Sequence, residues 1–153
     1  ARRFGQRARP GPMIDRVRHE RGILDTNTVI LLGRLDDPTL LPSEPLITAI
    51  TLAELTVGPL VAQSADERVA RQAHLQQAES DFDALPFDAS AARAFGRVAA
   101  SLRQSGRKTA ARSYDAMIAA TALAHALPVY TCNPDDFSGI DGLEVVAVPL
   151  PTR

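Results

Sequence analysis

The chain has 153 residues, of which 45% are hydrophobic and 23% charged, and its formal net charge is −1 at pH 7. This length and composition exclude a disordered chain and fit one globular domain whose core needs no disulfide or structural metal. The single cysteine, Cys132, excludes an intrachain disulfide and a cysteine-rich zinc site. We expect a soluble cytoplasmic protein, because the longest weakly polar stretch, residues 117–130, is too short to cross a bilayer.

Charge is distributed unevenly along the chain. Residues 1–21 hold seven arginines and two acidic residues, a local charge of +5, so the remaining residues carry −6 to give the total of −1. Residues 1–12 have no sustained hydrophobic period and are interpreted as a flexible arginine-rich tail or an extension outside the fold, with 13–153 as a single domain. Because that domain is acidic, binding of a polyanion would need a local basic patch, a cation or both.

Short apolar runs alternate with helical patterns along the rest of the chain. This alternation predicts a mainly parallel sheet covered on both faces, which is a three-layer α/β/α domain. Thr51 and Glu54 have the spacing of a capping box, and Ser113 or Asp115 is the expected cap of a later helix. The predicted elements in chain order are a strand at 22–25, a cap and short helix at 26–35, a loop at 36–45, a strand at 46–50, a helix opening at 51–54, a long helix at 65–84, a strand at 85–87, a helix at 89–105, a helix from 113 or 115, and strands at 128–131 and 143–148.

Carboxylates from four distant segments follow the predicted strands or begin the predicted helices. Ligand crevices of parallel α/β sheets lie at the carboxyl ends of the strands, so these groups are expected to meet at one rim. The segments contribute Asp25 after the first strand, Glu54 one helical turn beyond the second, Asp115 at a helix start, and Asn133, Asp135 and Asp136 after the strand at 128–131.

A cation is expected among these carboxylates, because like charges packed closely repel and raise each other's pKa. Oxygen ligands favour Mg²⁺ or Mn²⁺ over zinc, and such an ion can bind phosphate oxygens and activate water for in-line attack. Each carboxylate also has a purely structural interpretation. Glu54 can be a capping-box partner, Asp115 an N-cap, and either Asp135 or Asp136 a local turn residue.

A basic stretch precedes Asp115. Residues 89–114 contain six basic residues and no acidic one, which indicates a polyanion-binding face next to the acidic group. The alternative is a solvated helix surface in a chain that uses arginine throughout. Arg112 is the strongest candidate because it lies three residues before Asp115. The candidate binding residues are Arg93, Arg97, Arg107, Lys108 and Arg112.

The sequence lacks the motifs of several other classes of catalytic or nucleotide-binding site. The chain contains no P-loop, no GxGxxG, no GxSxG and no HExxH sequence. Its three histidines show no motif spacing, and Cys132 has no base arranged beside it. We interpret Cys132 as a small buried residue.

Four motifs occur in a fixed order: Ile23-Leu-Asp-Thr-Asn27, Thr51-Leu-Ala-Glu-Leu55 followed by Val57-Gly58, Asp115-Ala-Met-Ile-Ala-Ala-Thr-Ala-Leu123, and Val129-Tyr-Thr-Cys-Asn-Pro-Asp-Asp-Phe137. Together they resemble the motifs of PIN-domain ribonucleases, and specifically those of the VapC toxins of bacterial toxin–antitoxin pairs. The resemblance covers residues 22 to about 150. Each motif alone is weak, whereas the ordered set is specific.

The resemblance implies a Mg²⁺-dependent endoribonuclease, with Mn²⁺ as a substitute, that cleaves RNA and so inhibits translation. It also implies a VapB antitoxin whose tail blocks the active site, and toxin homodimers within the complex. The RNA substrate is a tRNA, an rRNA or an mRNA, and the number of metal ions, one or two, stays open.

The resemblance also implies roles for individual residues. Asp25, Glu54 and Asp115 match the core acidic positions, and Asn133 stands at the position usually occupied by a further acidic or amide residue. Because Asp135 and Asp136 follow closely, the residue that completes the site stays open. The candidate catalytic residues are Asp25, Glu54, Asp115 and Asp136, the candidate metal ligands are these four and Asp135, and the supporting residues are Thr26, Asn27, Thr131 and Asn133.

Two other functions compete with this interpretation. Residues 25–28 are similar to the nucleophile loop of haloacid-dehalogenase phosphatases, in which Asp25 would form an aspartyl phosphate. Asn27 argues against this, because that chemistry needs a second carboxylate there. An inert RNA-binding or partner-docking domain would bind RNA without metal and without cleavage, and the complete set of acidic residues argues against it.

Overall fold

The computed structural model describes residues 19–109 and 112–152. The predicted tail at 1–12 lies outside this part of the chain. The described elements are the strands β1 (Arg21–Leu24), β2 (Glu44–Thr48), β3 (Ala84–Leu85), β4 (Val129–Thr131) and β5 (Val145–Ala147), the helices α1 (Thr26–Leu31), α2 (Ala49–Leu60), α3 (Ala65–Asp81), α4 (Ala89–Gln104) and α5 (Ser113–Ala124), and short 3-10 turns at Leu32–Arg34, Pro38–Leu40 and Pro134–Phe137.

The five strands form one sheet in the order β3-β2-β1-β4-β5, and every neighbouring pair is parallel. Ile23 of β1 pairs with Leu46 of β2 on one side and with Val129 of β4 on the other. Parallel strands need crossover connections, and α-helices supply them except between β4 and β5, whose connection contains the 3-10 turn at Pro134–Phe137. The predicted three-layer α/β/α class is confirmed.

Consecutive strand residues point to opposite faces of the sheet and so build two separate cores. On one face, Ile23 and Val129 pack with Val98 of α4 and Ile118 of α5. On the other, Leu24, Ile47 and Tyr130 pack with residues of the remaining helices, which include Val29, Leu55 and Ala78. Because both faces are covered, these short strands read as continuous apolar runs in the sequence.

The strand order reverses at β1. The chain runs from β1 outward to β2 and β3, and it then returns to place β4 on the other side of β1. Crevices outside the carboxyl ends of strands form at such a switch point. Asp25 directly follows β1 and Thr131 ends β4, so both residues lie at this position.

Two predicted helix caps are wrong. Thr48, rather than Thr51, is the N-cap of α2: its Oγ1 accepts a hydrogen bond of 3.2 Å from the Thr51 amide, and the helix begins at Ala49. Thr48 also ends β2, so strand changes to helix without the loop that a capping box at Thr51 requires. At α5 the N-cap position is Arg112, which makes no side-chain cap bond, and Asp115 lies inside the first turn.

Several predicted boundaries are shifted by two or three residues. β2 ends at Thr48 because the backbone turns into α2 before Ile50, and α3 ends at Asp81 because Phe82 has an extended backbone. β3 covers only Ala84–Leu85, and β5 only Val145–Ala147. Cys132 is buried, as predicted. Within residues 19–109 and 112–152, no helix has the length and hydropathy needed to cross a membrane.

Candidate active site

Asp25 is the most enclosed carboxylate of the site, with 3% of its surface exposed. As the N-cap of α1, its Oδ1 accepts a hydrogen bond of 3.2 Å from the Thr28 amide. Its Oδ2 accepts a bond of 2.7 Å from the Thr131 hydroxyl. Burial raises the pKa of Asp25, these hydrogen bonds oppose the rise, and the negative charge of Asp136 adds to it. The fold thus fixes both oxygens of a carboxylate whose ionised form it also destabilises.

Glu54 lies on α2 and is held by a chain of two hydroxyl groups. Thr26 Oγ1 donates a hydrogen bond of 2.6 Å to Glu54 Oε1, and the Thr26 and Thr51 hydroxyl oxygens are 2.9 Å apart. A hydroxyl carries one proton, so when Glu54 is ionised Thr51 donates to Thr26 and Thr26 donates to Glu54. Burial raises the pKa of Glu54, with a further contribution from the charge of Asp25.

Asp115 faces three other carboxylates from the first turn of α5. Burial raises its pKa to about 6, and the negative charges of Asp136, Asp25 and Glu54 contribute in that order, while the Arg112 guanidinium opposes the rise. Each of these carboxylates comes from a different part of the chain. Their mutual effect on one pKa shows that the sequence-distant acidic residues share a common electrostatic environment.

Asp136 is the fourth carboxylate and has two partners. Arg112 Nη1 donates to its Oδ1 at 3.2 Å, and the Asn133 side-chain amide donates to its Oδ2 at 3.1 Å. The Arg112 and Asp136 side chains keep 31% and 24% of their surfaces exposed, so solvent screens this ion pair. Asn133 and Arg112 therefore orient Asp136 toward the other acidic residues.

An open cleft of about 510 Å³ is bordered by Glu54, Asp115 and Asp136, and its lining is predominantly polar and charged, whereas the buried Asp25 does not line it. A second depression of about 270 Å³ shares Asn27 and Glu54 with it and extends toward Arg71. The cleft is lined by Asn27, Glu54, Arg112, Ser113, Tyr114, Asp115 and Asp136.

Glu54, Asp115 and Asp136 line the cleft without forming a single coordination sphere. Across residues 19–109 and 112–152, no three His, Cys, Asp or Glu side chains are placed closely enough to hold one ion together. Charge repulsion between Asp115 and its acidic neighbours is consistent with this spacing.

Comparison with known proteins assigns this chain to a family. The family model for the PIN domain matches residues 23–143. Ribonuclease VapC5 of Mycobacterium tuberculosis is 42% identical over 129 residues, which cover 83% of this chain and 93% of that protein. Ribonuclease VapC1 of Rickettsia felis is 31% identical, with coverage of 82% and 95%. The chain belongs to the PIN-domain family and, within it, to the VapC proteins.

Solved structures agree with this assignment. The crystal structure of VapBC-5 from Mycobacterium tuberculosis contains a chain with a TM-score of 0.74 and 41% identity, covering 84% of this chain and 99% of that one. FitAcB from Neisseria gonorrhoeae has a TM-score of 0.64 at 29% identity, with coverage of 81% and 95%. DNA-bound VapBC from Salmonella typhimurium has a TM-score of 0.64 at 28% identity, with coverage of 83% and 96%. The PIN fold therefore spans nearly all of each compared chain.

The remaining predicted site residues of this PIN domain do not all reach the cleft. Asp135 is exposed and does not line it, although the Asp135 carbonyl accepts a hydrogen bond of 3.2 Å from Arg107. Lys108 is exposed in the segment between α4 and α5. Arg93 and Arg97 are exposed on α4. Of the five predicted polyanion-binding residues, Arg112 lines the cleft and the other four do not.

Three further threonines hold the site together: Thr28 and Thr48 were not predicted from the sequence, and Thr51 was predicted only as a helix cap. The Thr28 amide caps Asp25, and its Oγ1 accepts a hydrogen bond of 3.0 Å from the Cys132 amide, which ties α1 to the end of β4. Thr48 caps α2, and Thr51 supports Thr26. Fully buried hydroxyls need hydrogen-bond partners, so the threonines that interrupt apolar strand and helix patterns were the available signal.

Proposed function

We propose that this chain is a metal-dependent endoribonuclease toxin of a type II toxin–antitoxin pair, which hydrolyses RNA phosphodiester bonds in the cytoplasm and so inhibits translation. One observation carries the proposal: Glu54, Asp115 and Asp136 line one cleft together with Arg112, and the negative charge of the buried Asp25 acts on Asp115 beside it, in a chain 42% identical to Ribonuclease VapC5. A cleft lined by carboxylates, with Arg112 at its edge, can bind a negatively charged phosphodiester only when a cation is also bound. The charge pattern therefore favours metal-assisted hydrolysis.

The donor chemistry of the cleft fits a hard divalent cation, Mg²⁺ or, as a substitute, Mn²⁺. All four candidate ligands, Asp25, Glu54, Asp115 and Asp136, are carboxylates, and burial raises the pKa values of the first three. The Arg112 guanidinium opposes the rise in the pKa of Asp115, and it already forms an ion pair with Asp136. A bound divalent cation would supply positive charge that neutralises phosphate oxygens and favours ionisation of water.

Asp136, rather than Asp135, completes the proposed ligand set. Asp136 lines the cleft and contributes to the pKa values of both Asp25 and Asp115, whereas Asp135 is exposed and contributes to neither. Asn133 supports this arrangement through its hydrogen bond to Asp136. We therefore assign Asn133 a positioning role.

Asp25, Glu54 and Arg112 have different roles in the proposed hydrolysis. Asp25 and Glu54 are each held by a threonine hydroxyl, which fixes their orientation before substrate binds. Glu54 Oε2 makes no hydrogen bond to the described part of the chain, so this atom is available to take a proton from the attacking water. The water oxygen bonds to phosphorus, the bond from phosphorus to the 3′ oxygen breaks, and the leaving 3′ oxygen takes a proton from solvent to become a hydroxyl. Arg112 binds the substrate backbone beside the break.

A VapB-type antitoxin and a toxin homodimer are part of the proposal. The solved relatives are described as VapBC and FitAcB assemblies, and the VapBC-5 chain is matched over 99% of its length. Neutralisation by an antitoxin therefore extends to this chain as an expectation.

Cleavage of total cellular RNA by the purified chain tests the proposal. The reaction is run with Mg²⁺, with EDTA and with Asp25→Ala, and new 5′ ends are mapped after any bound antitoxin has been removed. Cuts that require Mg²⁺ and vanish in the variant support the proposal. A folded Asp25→Ala variant with full activity would refute the assignment of Asp25, and metal-independent RNA binding without cutting would favour the inert-domain alternative.

A further inference from the structure

Tyr114 is an aromatic side chain that the fold leaves in solvent. The chain contains five phenylalanines, two tyrosines and no tryptophan, and Phe4 lies outside the described residues. Within the described part of the chain, Tyr114 is 56% exposed, whereas every other aromatic side chain is buried or partly buried in a core. Leaving an aromatic ring in water forgoes the free energy that its burial would contribute to folding.

The exposed ring lies at the functional cleft. Tyr114 occupies the first turn of α5 between Arg112 and Asp115, and all three residues line the same cavity of about 510 Å³. The other lining residues are polar or charged, so the ring has no apolar neighbour in the cleft to pack against. The chain therefore presents one flat apolar surface beside a guanidinium and a group of carboxylates.

We propose that Tyr114 stacks on an unpaired nucleotide base next to the scissile phosphate and so restricts cleavage to single-stranded RNA. The inference rests on the proposed ribonuclease function and deepens it. A phosphodiester held between Arg112 and the carboxylates carries a base on each side, and an aromatic ring one residue from Asp115 is placed to meet one of them. Bases inside a duplex have both faces covered, so stacking on a side chain selects a loop, a bulge or an end.

Tyrosine fluorescence gives a direct binding test, because the chain has no tryptophan and its other tyrosine, Tyr130, is 1% exposed. The Asp25→Ala chain, which binds without cutting, is titrated with short single-stranded RNA of randomised sequence and with duplex RNA of the same length. We expect single-stranded RNA to quench the emission and duplex RNA to leave it nearly unchanged. Tyr114→Phe in the same background should abolish the change, which assigns the signal to Tyr114. Binding of single-stranded RNA without quenching would overturn the inference.

Cleavage kinetics separate stacking from a structural role. On the single-stranded RNA at which the chain cuts, Tyr114→Phe keeps the ring and should stay within about twofold of the original KM, whereas Tyr114→Leu should raise KM by roughly tenfold or more. Replacing the stacked base by an abasic nucleotide should raise KM for the unsubstituted chain and not further for Tyr114→Leu. Leu60→Ala, at a side chain 81% exposed on α2, is the matched control and should change nothing.

The outcomes distinguish this inference from the function on which it rests. If the unsubstituted chain cuts RNA with Mg²⁺ and Tyr114→Leu cuts the same RNA with unchanged KM, the stacking role is wrong and the ribonuclease assignment stands. If the unsubstituted chain cuts no RNA, both are wrong. Tyr114 has only a structural role if Tyr114→Leu lowers kcat and if the KM of the unsubstituted chain is the same for intact and for abasic RNA.

Discussion

The Thr131 hydroxyl donates a hydrogen bond of 2.7 Å to Asp25 Oδ2 across the switch point between β1 and β4. The same hydroxyl oxygen accepts a hydrogen bond of 2.9 Å from the backbone amide of Asn133. The Thr131 side chain therefore connects a catalytic candidate to the segment that carries Asp136. Both Thr131 and Asp25 are buried. The sheet order thus produces the site directly, because it brings the ends of two sequence-distant strands side by side.

Thr131→Val keeps the shape of the side chain and removes its hydroxyl. Asp25 Oδ2 then loses a donor in a buried position, which should lower the free energy of unfolding by about 1–3 kcal/mol. Because the carboxylate also loses its orientation, RNA cleavage should fall about 10- to 100-fold. Unfolding in urea and initial cleavage rates measure the two effects.

Thr121→Val is the matched control for that variant. Thr121 is also buried, but its hydroxyl donates to the Met117 carbonyl within α5 and contacts no carboxylate. We expect a change of stability with little change in cleavage rate. Equal losses of activity in the two variants would show that Thr131 acts through general stability.

Gly22→Ala tests the packing of β1 against β4. A Cβ at Gly22 would lie 2.7 Å from the Tyr130 ring, which is buried and cannot move aside freely. We expect the free energy of unfolding to fall by about 1–3 kcal/mol. Gly96→Ala places a Cβ in open space in α4 and should raise it by roughly 0.5–1 kcal/mol. Urea denaturation of both variants would contradict this account if their order were reversed.

Asp115→Asn tests the electrostatics of the cleft. The pKa of Asp115 is raised from its usual 3.8 to about 6, so between these pH values the folded state binds more protons than the unfolded state. Its ionisation therefore makes the free energy of unfolding fall as pH rises through this window, and the cost is complete above about pH 6. Asparagine removes the charge and with it this cost.

The comparison is made in EDTA by following the thermal midpoint, Tm. At pH 7.5 we expect Tm of Asp115→Asn to exceed that of the unsubstituted chain by about 2–4 °C, a modest gain because solvent screens this partly exposed position. Below about pH 4 the two chains should melt together. A variant that is less stable at pH 7.5 would show that Asp115 is stabilised by its surroundings when charged.

Arg112→Gln tests the cationic side of the cleft. If Arg112 binds one phosphate of single-stranded RNA, its loss should weaken binding and reduce the slope of log affinity against log salt by about 0.7. Arg34→Gln is the matched control, because Arg34 lines a separate pocket between α1 and α3 and should leave the slope unchanged. A slope that is the same in both variants would remove Arg112 from the binding surface.

The fold was predictable because the sequence periods agree with the structure. Apolar runs such as 22–24 and 129–131 are buried on both faces of the sheet, and their alternation with helical patterns is typical of a covered parallel sheet. The exact starts of α2 and α5 were not predictable, because Thr48 and Thr51 are chemically equivalent candidates for the cap. Which of the two threonines is the N-cap depends on the residue at which β2 ends, and tertiary structure sets that residue.

The site was predictable as a list of acidic residues and not as a set of contacts. Asp25, Glu54, Asp115 and Asp136 come together because β1, β2 and β4 end at one edge of the sheet, and α2 and α5 carry Glu54 and Asp115 in their first halves. In the 3-10 turn at Pro134–Phe137, the Asp136 side chain lines the cleft and the Asp135 side chain does not. Nothing in the sequence Asp-Asp indicates which of the two faces the cleft. The hydroxyl partners of the carboxylates likewise depend on side-chain direction.

The most direct test of the central claim is RNA cleavage by isosteric variants of the two adjacent aspartates, Asp136→Asn and Asp135→Asn, in Mg²⁺, with the 5′ ends of the products mapped. Our account predicts that Asp136→Asn loses the mapped cuts by at least about 100-fold while Asp135→Asn keeps them at a similar rate. Both proteins should remain folded, as checked by their thermal midpoints. If Asp136→Asn cuts normally, or if no variant changes metal-dependent cleavage, the cleft described here is not the site of hydrolysis.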